Sequence, residues 1–379
     1  MIYADNAATT RISDSVLEKM LPYLCDQYGN ASSQYSFGMK VRHAVEHARK
    51  QVAYALAADP SEIIFTSSGS EANNWVLRCV AEMFHNKPFH IITTSIEHHS
   101  VLNACNALEQ HGIEVTRLPV QSTGEIEISE VEAAIKPHTK LVSIMFANNE
   151  IGTIQPIAEI GHILKKRGIL FHTDAVQAVG HIPVDVSSLG VDFLTASAHK
   201  FNGAKGTGIL YKHSEVELSP LILGGEQEHG LRAGTENVPG IVAAGYAIEE
   251  SVNSITDESK RLSLLSQETI IGIKEKIPSL KVNGNLDKRL PGIINIGFDG
   301  VLGESVMNLL DLNGICVSTS SACTVGNGNP SHVLLALGLT ERQARSAIRI
   351  SYGRYNTTDD VKKIVEAINN AYKRIKENK

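Results

Sequence analysis

The chain has 379 residues, of which 42% are hydrophobic and 20% charged, and its net charge is -6. That length can bury one large core and a smaller second one, and the balance is that of a soluble globular protein. The charge gives no sign of direct nucleic-acid binding, and no stretch is long and apolar enough to cross a membrane as a helix.

In chain order, the first clear element is a helix. Val41, Ala44, Val45, Ala48, Val52, Ala55 and Leu56 recur with a 3.6-residue period and form one apolar stripe. From about residue 60 to 212, strands and helices alternate. Short apolar runs recur at Ile63-Ile64-Phe65, His90-Ile91-Ile92, Leu141 to Phe146, Ile169-Leu170-Phe171 and Asp192-Phe193-Leu194. Their lack of polar alternation suits strands covered on both faces of a mainly parallel sheet. Pro156 suits the first turn of a helix running to about Lys166. After about residue 250 the pattern changes. A charged helix is expected from near Asp257, then a strand at Gly292–Ile296, a helix near Glu304–Leu310, a strand at Ile348–Ile350 and a last helix from about Thr358 to Arg374. The expected fold is α/β. A large domain, residues 10–250, carries a mainly parallel, mixed sheet covered by helices. A smaller α+β domain combines residues 1–9 with 251–379.

The five cysteines form no Cys-x-x-Cys pair, so neither a zinc site nor a disulfide framework is expected. Cys25, Cys79 and Cys105 fall in helical apolar patterns and are expected to be packed thiols, and Cys316 to be buried. Met1 to Asn6 lacks the charged-then-apolar layout of a secretion signal. The expected location is a reducing cytoplasm.

Polar residues follow several of the apolar runs directly: Thr66 to Ser70, Glu97-His98, Asn148-Asn149, Thr173-Asp174 and Ser197 to Lys200. Ligands of such sheets bind beyond the carboxyl ends of the strands, so these residues should share one site. Thr66-Ser67-Ser68-Gly69-Ser70 joins a strand to a helix. The free N–H groups there suit a phosphate, and Gly69 allows a close backbone approach. Lys200, beside Ser197 and His199 and preceded by the strand-end Asp174, is the arrangement that pyridoxal phosphate (PLP) chemistry requires. The lysine forms a Schiff base with the aldehyde, and the carboxylate keeps the pyridine nitrogen protonated.

Taken together, these and further motifs resemble a cysteine desulfurase of the NifS/IscS type, in the class V aminotransferase superfamily of PLP enzymes. The motifs are Ser70-Glu71-Ala72-Asn73-Asn74, Glu97 to Val101, Asn148 to Gly152, His172 to Gln177, Ser197 to Lys200, Arg232-Ala233-Gly234-Thr235, Ser321-Ala322-Cys323 and Ile348 to Ser351. The resemblance implies roles by position. Lys200 would bind the cofactor and move the Cα proton. Asp174 would pair with the pyridinium nitrogen and Gln177 with the phenolic oxygen, while His98 would stack on the ring and serve proton transfer. Gly69, Ser70, Ser197 and His199 would hold the phosphate, and Asn149 would sit near cofactor and substrate. Thr235 would reach the phosphate of the other subunit of a homodimer. Arg349 would clamp the substrate carboxylate. The lesser alternatives are a helix cap for His98, a turn for Asn149 and a structural ion pair for Arg349.

Cys323 decides the reaction. Ser318 to Pro330 contains no large apolar residue except Val325, so a mobile surface loop with an exposed thiol is expected. The resemblance implies that this thiol takes sulfur from L-cysteine, leaving L-alanine and an enzyme persulfide. The sulfur would pass to an iron–sulfur scaffold or another acceptor, for cluster assembly or tRNA thiolation. Its long loop sets it with the IscS/NifS-like group. A selenocysteine lyase or an aminotransferase on the same fold are the alternatives. The chain departs from the family pattern at Ala31, Tyr35, Glu226, His229 and Ala233, and in the Gly/Asn-rich run after Cys323.

Overall fold

A computed structural model of the chain describes residues 1–84, 87–319 and 329–377. The strands in chain order begin with β1 (Ile2–Tyr3), β2 (Ile63–Thr66), β3 (His90–Thr94), β4 (Glu114–Leu118), β5 (Thr139–Ser143), β6 (Leu170–Asp174), β7 (Phe193–Ser197) and β8 (Gly208–Lys212). They continue with β9 (Lys281–Asn283), β10 (Ile293–Gly297), β11 (Ile315–Cys316), β12 (Ser318–Thr319) and β13 (Ala347–Ser351). The central sheet has the order β2-β8-β7-β6-β5-β3-β4, and only β8 runs against its neighbours. The second sheet, β12-β13-β10-β9, is antiparallel throughout. The fold is therefore the expected α/β unit on a mainly parallel mixed sheet, with a smaller antiparallel sheet beside it.

The two-residue alternation of a strand explains the covered sheet. Phe65, Ile92, Val142, Leu194 and Ile209 join one apolar cluster, with the helices Ser36–Leu56 and Val238–Lys276. Their chain neighbours Ile64, Ile91, Leu141, Phe193 and Leu210 join the cluster on the opposite face, under the helix Gly69–Met83. Both faces are dry, so the runs read as apolar throughout. Strand β4 escaped that reading because it is an edge strand whose first four residues stay partly exposed.

The helix expected from Asp257 is instead one 39-residue helix, Val238–Lys276. Its first turns hold Pro239, Gly240 and Gly245, which mask a helix in sequence. Pro239 sits in the first turn, where its missing N–H costs nothing, and Asn237 caps the end. At Gly245 a Cβ would lie 2.7 Å from Ala48 Cα, so the glycine lets two helices touch. The expectation of three packed thiols also needs correction. Cys79 and Cys105 are buried, but Cys25 is exposed, because it ends the short surface helix Pro22–Cys25. Cys316 is half-buried in β11 rather than buried.

The N-terminal segment ties the two sheets together. Strand β1 pairs in parallel with β11, and Asp5 bridges to Ser351 of β13. A few residues on, the Thr10 N–H donates to the His199 carbonyl. Among the described residues, no helix is long and apolar enough to cross a membrane.

Candidate active site

A cavity of about 510 Å³ opens at the carboxyl ends of the central strands. Gly69, Ser70, His98, Asn149, Asp174, Gln177, Ser197, His199, Lys200 and Arg349 all line it. Thr235 does not. It is exposed and lines a smaller neighbouring cavity with Glu228 and Arg232, and the two cavities share Ser67 and Gly206. Cys323 lies outside the described residues, as does the rest of 320–328.

Lys200 closes a single turn, Ala198–Lys200, directly after β7. Its Nζ donates to the carbonyls of Ala7 (2.6 Å) and Ala8 (2.8 Å). Gln177 Nε2 donates to the same Ala7 carbonyl at 3.0 Å. His199 Nδ1 lies 3.1 Å from the Thr9 hydroxyl. Burial, with the charges of Lys200 and Lys205, depresses the His199 pKa to about 4, so the ring is neutral.

Asp174 ends β6 and is 5% exposed. Its Oδ1 accepts from the Val176 N–H at 3.0 Å and its Oδ2 from Asn73 Nδ2 at 2.7 Å. His98 is the N-cap of the helix His99–Gln110, where Nδ1 accepts the Ser100 N–H at 3.2 Å. It thus fills both the capping role and a place in the cavity wall. Burial lowers its pKa, opposed by Asp174 and aided by Lys200 and His99.

Ser68 caps the helix Gly69–Met83, its hydroxyl accepting from the Glu71 N–H. The helix start lines the cavity at Gly69 and Ser70, where its unpaired N–H groups and dipole favour an anion. A Cβ on Gly69 would fall 2.7 Å from Val176 Cγ2, so only glycine fits without a shift. Glu71, in the first turn, pairs with Arg232 at 2.9 Å and so ties the Thr235 loop to this helix start.

Arg349 reaches the cavity from β13 of the smaller sheet. It pairs with Asp5 at 2.6 Å and donates to the Asn149 carbonyl at 2.9 Å. Its Nε is buried without a partner among the described residues. The ion-pair reading of Arg349 therefore holds alongside its place in the cavity. Two positive side chains besides Lys200, namely Lys205 and Arg349, face one buried carboxylate, Asp174. Such a cavity suits an anionic ligand that also carries a protonated nitrogen.

The sequence reading assigned no role to Asn73, Ser100, Asp5 or the carbonyls of Ala7 and Ala8. Asn73 and Ser100 sit inside the quoted motifs, whereas Asp5 adjoins none of them. Backbone carbonyls carry no residue signature at all.

The chain belongs to the aminotransferase class-V family, whose model matches residues 2–364. It is 47% identical over 369 residues to the cysteine desulfurase IscS of Clostridium botulinum, covering 97% of this chain and 93% of that one. Among solved structures it is similar to a NifS-like protein at 41% identity and a TM-score of 0.93, covering 98% of this chain and 99% of the other. It is also similar to SspA in complex with cysteine, at 38% identity and a TM-score of 0.83, covering 94% and 100%.

Proposed function

We propose that this protein is a PLP-dependent cysteine desulfurase, which takes sulfur from L-cysteine and leaves L-alanine and a persulfide on Cys323. The observation that carries the reading is the meeting of Lys200, Asp174, His98 and Arg349 in one cavity. Three features support PLP as the resident group. Gly69 leaves a cradle that a Cβ would fill, Asn73 Oδ1 is buried at the same wall with no partner among the described residues, and Asp174 offers a buried carboxylate.

When bound, PLP supplies an aldehyde for amines and a cationic ring that draws electrons from the substrate Cα. Lys200 would bond that aldehyde and later move the Cα proton through Nζ. The Ala7 and Ala8 carbonyls hold Nζ in position beforehand. Asp174 would keep the pyridine nitrogen protonated. Gln177 would face the phenolic oxygen, and His98 the ring. Gly69, Ser70, Ser197 and His199 would hold the phosphate, with Thr235 serving the site of the partner in a homodimer. Arg349 would bind the substrate carboxylate, with Asn149 beside it. The Cys323 thiolate would attack the substrate sulfur. A sulfur–sulfur bond forms as the carbon–sulfur bond breaks, its electron pair stays with carbon, and protonation completes alanine.

The division into residues 10–250 and residues 1–9 with 251–379 belongs to the same proposal, with the helix Val238–Lys276 crossing the boundary. So do a cytoplasmic location and delivery of the sulfur to an iron–sulfur scaffold or another acceptor. Replacing Cys323→Ser and supplying cysteine with a reductant tests the reaction. Sulfide release should fall at least about a hundredfold, while an absorbance band near about 400 nm remains. Sulfide release at the full rate would refute the reading.

A further inference from the structure

Three elements meet behind the cavity wall: the helix Gly69–Met83, the start of the helix His99–Gln110 and the end of β6. Asn73, Ser100 and Asp174 come one from each. Asn73 is 1% exposed and sits inside its helix, where asparagine is a poor choice for the helix itself.

One set of donor directions satisfies these groups together. The Ser100 backbone N–H can only donate, and it meets His98 Nδ1 at 3.2 Å, so Nδ1 is an acceptor. The Ser100 hydroxyl, 2.8 Å from the same nitrogen, must then donate to it as well. Its lone pairs are left to accept from Asn73 Nδ2 at 2.9 Å. The second hydrogen of that amide goes to Asp174 Oδ2 at 2.7 Å. Flipping the Asn73 amide would set its oxygen against the Asp174 carboxylate. The amide therefore keeps its orientation although Oδ1 is left buried and without a partner among the described residues.

We propose that Asn73 and Ser100 are positioning residues that couple the Asp174 carboxylate to His98 and hold the His98 ring as the tautomer protonated on Nε2. The Asn73 amide fixes one carboxylate oxygen and, through the Ser100 hydroxyl, the acceptor nitrogen of His98. The neutral ring then presents an N–H, not a lone pair, at its other nitrogen. Asp174 and His98 act as one preset unit rather than as two independent groups. The proposal deepens the desulfurase reading, and its catalytic consequence rests on that reading.

The test uses Asn73→Leu, Ser100→Ala and Ser100→Thr beside the parent, with and without bound PLP. Ring nitrogen spectra of histidine-labelled protein, with His98→Gln to assign the signal, report the tautomer directly. The parent should show His98 protonated on Nε2 alone. Asn73→Leu and Ser100→Ala keep the longer backbone N–H bond to Nδ1 but lose the oriented hydroxyl donor. Part of the His98 population should therefore shift to the Nδ1-protonated tautomer, and Ser100→Thr should restore the parent pattern. For cysteine turnover, kcat should fall about tenfold in the first two with KM unchanged, and recover in Ser100→Thr. A His98 signal unchanged in Ser100→Ala would overturn the proposal, as would a kcat loss that threonine does not rescue. The Ser100 pair decides the matter even if Asn73→Leu fails to fold. The tautomer is read without substrate. A parent that fails to release sulfide therefore refutes the desulfurase reading without touching this result.

Discussion

Arg49 and Arg349 are buried to nearly the same degree, 3% and 4% exposed, yet their nitrogens are used differently. Arg49 is saturated. Its Nη1 and Nη2 grip the two oxygens of Glu228 at 2.7 and 2.9 Å, Nη1 also meets the Ile63 carbonyl, and Nε meets Glu46. Glu228 further accepts the Phe65 N–H. Among the described residues, Arg349 has one carboxylate oxygen, one carbonyl and an Nε left without a partner. A saturated buried arginine belongs to the architecture. An unsaturated one beside a cavity keeps hydrogen-bonding capacity for something that arrives.

What Arg49 holds is also informative. Glu228 and His229 take left-handed backbone conformations at φ 49° and 58°, which non-glycine residues seldom adopt. The buried ion pair pins this strained turn, and the chain leads from it to Arg232 and Thr235.

Four substitutions test the contrast. The largest effect is expected from Arg49→Gln, which strands the Glu228 charge in the interior. Unfolding stability should drop by about 3–5 kcal/mol, read from urea unfolding, with KM for cysteine unchanged. Arg349→Lys should do the opposite. A lysine cannot offer a planar fork, so KM should rise about ten- to a hundredfold, with far less loss of stability than in Arg49→Gln. If both variants lose stability alike and KM stays put, the distinction between the two arginines fails.

The contrast extends to carboxyl groups. Glu228 uses both oxygens, whereas buried Glu97 leaves Oε2 without a partner among the described residues. Burial pushes the Glu97 pKa up to about 8, against the hydrogen bonds from Met145 and Thr94. The folded state therefore holds a proton that the unfolded chain releases above about pH 4.3. This group's stabilisation is full below that value and is lost as pH rises towards 8. Glu97→Gln should be about 1 kcal/mol less stable than the parent near pH 5. The gap should close and reverse towards pH 8, by at most about 1.4 kcal/mol per pH unit. A gap that stays constant across this range would mean that Glu97 is ionised in the folded protein. The smallest effect belongs to Asp5→Asn, which leaves the Arg349 fork without its counter-charge. Steady-state kinetics should show KM for cysteine about threefold higher.

Much of this was legible in the chain because it rests on side-chain type at fixed spacing. Runs such as Ile63-Ile64-Phe65 announced strands covered on both faces, and the polar residues closing them announced a common site. Lys200 and Asp174 stood out by position alone. Three things were hidden, each for a physical reason. The start of the long helix was masked by Pro239, Gly240 and Gly245, whose use depends on a cap and on a partner helix. The hold on Lys200 comes from main-chain carbonyls, which any residue carries. Asn73 acts through contacts with two elements distant in sequence, Ser100 and Asp174.

The N-terminal segment has a consequence for how the molecule is completed. Residues 2–5 pair with residues 315, 316 and 351, while Ala7 and Ala8 hold Lys200. During synthesis this segment leaves the ribosome long before its partners in β11 and β13 exist. The central sheet can form while the N-terminal segment is still unmoored, because none of the seven central strands comes from beyond residue 212. Lys200 then gains its full setting only once Ser351 has been made, because the Ser351 hydroxyl accepts the Ala7 N–H, so the cavity is completed late in synthesis.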